Sequence, residues 1–468
     1  MEEKVSTQKI ETEELSRGLE NRHMQMIAIG GAIGVGLFYG STYAVQEAGP
    51  SVLLAFGVVG IALLFVMRAL GELAVEEPVS GSFSSYATRY IKPFAGYYLA
   101  WTFVLSTFAC AAAEYNAIGA YLQYWISDFP IWATGVIILC ILTFVNVVGV
   151  KYYGEVEFWL CSFKVVAIIG MIIIGGCMIL FGWGNGGEPI GLSRLVSNGG
   201  FFPKGISGFL LSFILVQFSF GGMENIGVSA GEAADLKRTI PKAIKSVFWR
   251  ILIFYVGAIF VMLCLENWSE IGTTGSPFVT VFAKVGIPAA ASILNFVVIT
   301  AGISNMNSAM YTSTRLMYNL SRQGQAHEAL SKVNRNNIPY VAFIATIVAQ
   351  ALGIIANFLI PASTFAIFSS IAVVGSIGNW LGILFSELKF RKMKIQNGEE
   401  ETISFKMPLW PYSSYFSIAL ILFILVIMWF MPFSRVALYV CPVWMALLYI
   451  IYRLSNKKKL KGAEAARQ

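Results

Sequence analysis

The chain has 468 residues, of which 57% are hydrophobic and only 13% charged, with a formal net charge of +7. Its mean hydropathy is +0.69, and soluble domains carry roughly 25% charged residues, so a water-soluble fold is excluded. Six cysteines and two histidines show no CxxC or Cys/His spacing, so no disulfide framework, metal centre or cofactor site is expected, and the basic balance reflects membrane topology rather than a nucleic-acid partner.

Apolar runs of about 20 residues, long enough to cross ~30 Å of hydrocarbon, recur along the whole chain. They fall at 26–45, 51–71, 94–124, 131–150, 157–182, 206–230, 248–265, 286–318, 339–359, 363–386, 414–431 and 434–453. The expectation is an all-α integral membrane protein of about twelve spans, with one membrane domain filling the chain. An acidic polar stretch precedes the first run and no small-residue cleavage site closes it, so it reads as a span rather than a leader.

Lysine and arginine set the orientation. With residues 1–25 in the cytoplasm, the inner segments carry Arg17, Arg22, Arg89, Lys92, Lys151, Lys237, Arg238, Lys242, Arg322 and Lys389, while the outer ones hold Arg194, Lys204, Lys284 and Arg435. The positive-inside rule then puts both termini in the cytoplasm. The segment 387–413 becomes a cytoplasmic loop, and 455–468 a basic tail whose lysines meet water or anionic lipid.

Two glycine-rich interruptions stand out. One is Gly30-Gly31-Ala32-Ile33-Gly34-Val35-Gly36 in the first span, the other Ser219-Phe220-Gly221-Gly222 in the sixth. Non-helical backbone is tolerated at membrane depth only where it lines a cavity, so the pair points to a ligand site in a transporter. The first span runs outward, and N–H groups of Ile33, Gly34, Val35 and Gly36 at the start of its second half suit a carboxylate. The sixth runs inward, and carbonyls near Phe218, Ser219, Phe220 and Gly221 suit an ammonium. Small residues spaced four apart also serve close helix packing, but paired breaks favour a site. Their places, first and sixth in opposite directions, imply two inverted five-span halves, about 26–182 and 206–386, with spans eleven and twelve (414–454) added.

Three ionisable residues fall within spans and are functional candidates. Lys164 lies about 10 Å deep at 1.5 Å per residue, where a lysine either snorkels to the interface or turns towards the first break. Glu224 follows the second break and serves either as a helix cap or as a proton site. Glu114, in the outer part of the third span, is placed to line the cavity.

The motifs Leu19-Glu20-Asn21-Arg22-His23, Met67-Arg68-Ala69-Leu70-Gly71-Glu72, Pro78-Val79-Ser80-Gly81-Ser82-Phe83, Phe218-Ser219-Phe220-Gly221-Gly222-Met223-Glu224 and Asn307-Ser308-Ala309-Met310-Tyr311 resemble bacterial amino acid permeases of the amino acid–polyamine–organocation superfamily, in its amino acid transporter family. The resemblance implies a LeuT-like 5+5 inverted-repeat fold and proton-driven amino acid uptake across the cytoplasmic membrane of a bacterium. It also implies that the 34–36 backbone takes the substrate carboxylate and the 218–220 carbonyls its amino group. By the same resemblance Lys164 stands where sodium-coupled relatives hold an ion, Phe220 is an aromatic gate, and residues 71–91 flank the inner gate. Neutral substrates such as threonine, serine, proline or histidine are implied most directly. One departure concerns the third span, where relatives read Gly-Trp-x-Tyr-Trp and this chain reads Ala100-Trp101-Thr102-Phe103-Val104.

Three alternatives accompany this reading. One is an exchanger without net proton movement, another a permease for aromatic or basic amino acids, and the third a membrane sensor of amino acids. An enzyme is not expected, since neither a nucleophile–base set nor a GxxxxGK[ST] loop occurs.

Overall fold

The computed structural model describes residues 34–79, 81–148, 150–224, 236–271, 279, 288–334 and 338–465. Every regular element among them is helical. A π-helical turn, Gly36–Gly40, leads into α1 (Ser41–Ala48), and a 3-10 turn (Gly49–Ser51) joins it to α2 (Val52–Glu76). There follow α3 (Ser82–Tyr90), α4 (Pro93–Leu122), α5 (Ile131–Val148), α6 (Val150–Phe181) and α7 (Gly205–Ser219). Next come α8 (Leu236–Arg250), a π-helical segment (Ile251–Gly257) and α9 (Ala258–Leu265). The chain continues through α10 (Pro288–Arg322), α11 (Tyr340–Leu359), α12 (Pro361–Gln396), α13 (Tyr412–Ile427) and α14 (Pro432–Ala465).

Nine helices among the described residues are long and apolar enough to cross a membrane, where the sequence places twelve spans. The difference has a local cause. The first two predicted spans join in one stretch, Gly36–Glu76, and two further apolar helices, Ile131–Val147 and Gly205–Ser219, are shorter. The second of these stops at the predicted interruption.

Helix starts follow backbone chemistry. Pro93 and Pro361 each occupy the first turn of their helix, where a missing N–H costs nothing. With 36 residues, α12 spans about 54 Å at 1.5 Å per residue, well beyond the hydrocarbon. Its last turns therefore carry charged side chains that the shorter predicted span, 363–386, left in a loop.

At the centre, α4 packs against α3, α5, α10, α11 and α12. Polar side chains tie these helices where no water is available to compete. Asn116 donates to Asn357 Oδ1 at 2.8 Å, Asn357 donates to the Ala112 carbonyl at 3.0 Å, and Tyr115 donates to Gln350 at 2.8 Å. Large apolar residues such as Phe144, Val166, Phe181, Phe358 and Val443 are exposed on the outer faces, as a lipid-facing belt requires. The outermost helix, α14, is the least buried of the nine.

A buried charge cluster holds the segment after α12. Arg391 Nη1 lies 3.5 Å from Glu72 Oε2 and donates to the Met407 carbonyl at 3.1 Å, while the Met407 N–H donates to the same carboxylate. The side chains of Arg391 and Glu72 are 7% and 0% exposed. Arg68, one turn before Glu72, donates to the Lys406 carbonyl and lies over the Phe405 ring at 3.7 Å. Breaking a buried pair by removing one partner costs about 3–5 kcal/mol, because the other charge stays buried. Arg391→Ala should therefore unfold well below the wild type in a thermal melt in detergent, and Glu72→Ala should do the same. Melting points equal to wild type would show that the cluster contributes no stability.

Candidate functional site

The site begins where α7 stops. Phe220 N–H donates to the Gln217 carbonyl at 3.2 Å and Gly221 N–H to Phe218 at 3.0 Å, tightening the last turn. Gly222 adopts φ +89°, a conformation that suits glycine. The helix cannot continue through it, and residues 220–224 form turns.

Gly34 to Gly36, the described part of the first predicted interruption, lies against the second. A Cβ on Gly36 would stand 2.9 Å from Ser219 Cα, so only glycine fits there without moving backbone. The Ser219 hydroxyl donates to the Gly36 carbonyl at 2.8 Å. Tyr255 in turn donates to the Ser219 carbonyl at 2.7 Å, so that carbonyl keeps one lone pair for a further donor. Gly34 faces two side chains, its virtual Cβ lying 2.8 Å from Asn305 Nδ2 and 2.9 Å from Glu114 Oε1. Asn305 donates to that Glu114 oxygen at 2.7 Å, and the other oxygen has no hydrogen-bond partner among the described residues. Val35 is fully buried beside them.

A cavity opens beside these breaks. Its walls are Phe103, Ser106, Thr107 and Cys110 from α4, Phe218, Gly221, Gly222 and Glu224 from the second break, Asn305 and Ala309 from α10, and Ser376 with its neighbours from α12. Glu224 is buried and accepts from Trp380 Nε1 at 3.3 Å. Phe220, expected as a gate, packs instead against Tyr255 and Phe56 with ring centres 4.8 and 5.6 Å away. Phe218 is the aromatic of the pair on the cavity wall, and its ring meets Phe365 at 5.6 Å. Phe365 also contacts Tyr39 and Tyr43, which gives a ring cluster from the π-turn, α1, α7 and α12.

Lys164 does not snorkel. It is 0% exposed, and its Nζ donates to Ser304 Oγ on α10 at 2.9 Å. Ser304 directly precedes the Asn305 that holds Glu114, so the lysine and the cavity are joined through two consecutive residues of one helix. Thus Gly34, Gly36, Phe218, Ser219, Gly221, Glu114 and Glu224 converge, Lys164 sits behind them, Phe220 turns away, and Ile33 lies outside the described residues. The sequence reading passed over Thr107, Ser304 and Asn305. The cluster Ser304, Asn305, Asn307 and Ser308 inside an apolar span was the available signal.

A family profile described as "Amino acid permease" matches residues 23–463. The chain belongs to the amino acid permease family. It is thus a multi-pass membrane protein of a bacterial permease family, the same superfamily its motifs resemble. It is 45% identical over 454 residues to "Uncharacterized amino acid permease YtnA" of Bacillus subtilis (strain 168), covering 97% of this chain and 98% of that one. It is 45% identical over 439 residues to "Probable threonine/serine transporter YbxG" of the same organism, covering 94% and 95%. With "Aromatic amino acid transport protein AroP" of Shigella flexneri, identity is 38% over 453 residues, covering 97% and 98%.

The Gly36–Ser219 contact supplies a sharp test in this permease. Gly36→Ala should separate the two breaks, and misplacement on the scale of 1 Å costs on the order of a hundredfold in rate. Labelled amino acid uptake into proteoliposomes should fall by about that factor with protein yield and monodispersity retained. Gly57→Ala, where a Cβ meets nothing within 4 Å, should transport like the wild type. Normal uptake by Gly36→Ala would refute the importance of the contact.

Proposed function

We propose that this permease imports a small neutral amino acid together with a proton across the cytoplasmic membrane, with both termini in the cytoplasm. In this reading twelve spans are present, the first ten forming a LeuT-like core with inverted repeats at about 26–182 and 206–386. The loop 387–413 is cytoplasmic, and spans eleven and twelve fall within 414–454.

The observation that carries the reading is the fully buried Lys164, hydrogen-bonded to Ser304 of α10, whose neighbour Asn305 lines the cavity beside the end of α7. A lysine held between two helices and shut off from solvent is placed to serve as a coupling element. The amides of 33–36 offer the substrate carboxylate a helix-start environment. The carbonyls of Phe218 and Phe220 take the ammonium, with Glu114 and Glu224 as the acidic groups beside the substrate and Glu224 as a second coupling candidate.

Cavity chemistry favours a hydroxyl-bearing substrate. Ser106 donates to the Thr102 carbonyl at 2.9 Å and Ser376 to Val373 at 2.9 Å. With their protons committed to their own helices, these oxygens offer acceptor lone pairs to a donor in the cavity. A threonine or serine hydroxyl supplies such a donor, in keeping with the relative named as a probable threonine/serine transporter.

Uptake of a radiolabelled amino acid panel into proteoliposomes with an inside-alkaline gradient tests this. Threonine or serine should accumulate, and a protonophore should abolish the accumulation. In Lys164→Ala accumulation should disappear while counterflow of internal for external substrate persists. Gradient-independent counterflow in both proteins would identify an exchanger, and accumulation of aromatic residues alone would overturn the substrate assignment.

A further inference from the structure

Several buried polar groups lie outside the walls of the cavity described above. Glu157, Cys161 and Lys164 are spaced four and three apart on α6 and share one face of that helix. Facing them on α10, Ser304 and Asn307 share a face at a spacing of three. Glu157, Lys164 and Ser304 are each 0% exposed.

One hydroxyl connects the two charged side chains. Ser304 Oγ accepts from Lys164 Nζ at 2.9 Å and donates to Glu157 Oε1 at 2.5 Å. The carboxylate is held from other sides as well. Cys161 Sγ donates to Oε1 at 3.2 Å, and Asn307 Nδ2 approaches Oε2 at 3.3 Å. Asn307 is itself oriented by Asn146 of α5, whose Nδ2 donates to its Oδ1 at 2.9 Å. Other titratable groups are few. Glu114 of α4 faces Lys164, whereas residues 131–148 and 251–265, on elements packed against α6, contain no Asp, Glu, Lys, Arg or His.

We infer that Glu157 receives the coupling proton from Lys164 through the Ser304 hydroxyl, and passes it towards the cytoplasmic side; this rests on the proton-symport reading. The step balances without any further reactant. An N–H bond of the Lys164 ammonium breaks as Ser304 Oγ gains that proton, and the original Ser304 proton moves to Glu157 Oε1. The lysine ends as a neutral amine, Glu157 as a carboxylic acid, and Ser304 unchanged. Net charge in the buried cluster stays the same throughout, so no isolated charge is created in a medium that penalises it. Direction comes from α6 itself. Glu157 lies seven residues, about 10 Å at 1.5 Å per residue, nearer the helix start than Lys164, and that start is the cytoplasmic end in the proposed topology.

Glu157→Gln and Ser304→Ala test the relay, each assayed for gradient-driven accumulation and for counterflow in proteoliposomes. If the wild type shows no protonophore-sensitive accumulation, the symport reading fails and the relay with it. Given a coupled wild type, a positioned proton-transfer group contributes about 10²–10⁴-fold. Glu157→Gln should then lower the accumulation rate by at least about a hundredfold while counterflow stays within about twofold, and Ser304→Ala should likewise lower accumulation and spare counterflow. Wild-type accumulation in either variant overturns the relay. A parallel fall of accumulation and counterflow in monodisperse protein also overturns it, because a group that only holds the helices together would lower both.

Discussion

Within a hydrocarbon slab every backbone N–H and C=O must be satisfied by the protein itself, and the meeting of Gly36 with Ser219 is where this chain meets that constraint. The described start of the chain, at Gly34 to Gly40, packs there against the end of α7, and the Ser219 hydroxyl reaches across to it. The Ser219 hydroxyl serves the Gly36 carbonyl, Tyr255 serves the Ser219 carbonyl, and the tightened turn after α7 supplies N–H groups to the Gln217 and Phe218 carbonyls at that helix end. Absence of a side chain at Gly36 permits the approach. In the proposed reading the substrate binds beside this contact, where Phe218, Gly221 and Gly222 line the cavity.

Around that contact the remaining helices divide their work. Helices α4, α10 and α12 present polar side chains inward, supplying Thr107, Asn305 and Ser376 to the cavity, while α14 and the outer faces of α5 and α11 present apolar surface outward. The most costly groups to bury, the ionisable ones, occur in clusters. Glu72 and Arg391 pin the segment after α12, and Lys164, Ser304 and Glu157 bridge α6 and α10. In the proposed mechanism the first cluster stays fixed and the second exchanges a proton, a difference consistent with their contacts. Arg391 meets a carboxylate and a backbone carbonyl directly, whereas Lys164 and Glu157 communicate through a hydroxyl that both donates and accepts.

Much of this was legible before any coordinates. Apolar run length gave the class, and Ser219 to Gly222 marked the place where α7 ends, because a glycine there frees the backbone to leave the helix. Lys164 was legible as a candidate because lysine is expensive there. Its direction was not legible, since a lysine about two turns from an interface can reach water or the interior with equal ease. Glu157 escaped notice for a related reason. It falls at the predicted boundary of the fifth span, where a carboxylate looks solvated, and only the longer helix Val150–Phe181 encloses it.

The sequence by itself determined the membrane class, the end of a helix at Ser219 and the permease family, because these depend on composition, on local backbone freedom and on motifs contiguous along the chain. Tertiary structure alone decided that Phe218 rather than Phe220 lines the cavity, that Asn305 joins Glu114 to Gly34, and that Ser304 bridges Lys164 to Glu157. Each of these depends on the rotation of one helix against another. Such rotation is set by packing between residues more than a hundred positions apart, as with Glu114 and Asn305 or Glu157 and Ser304. Hydrophobic patterning cannot specify that rotation where both the lipid-facing and the core-facing sides of a helix are apolar.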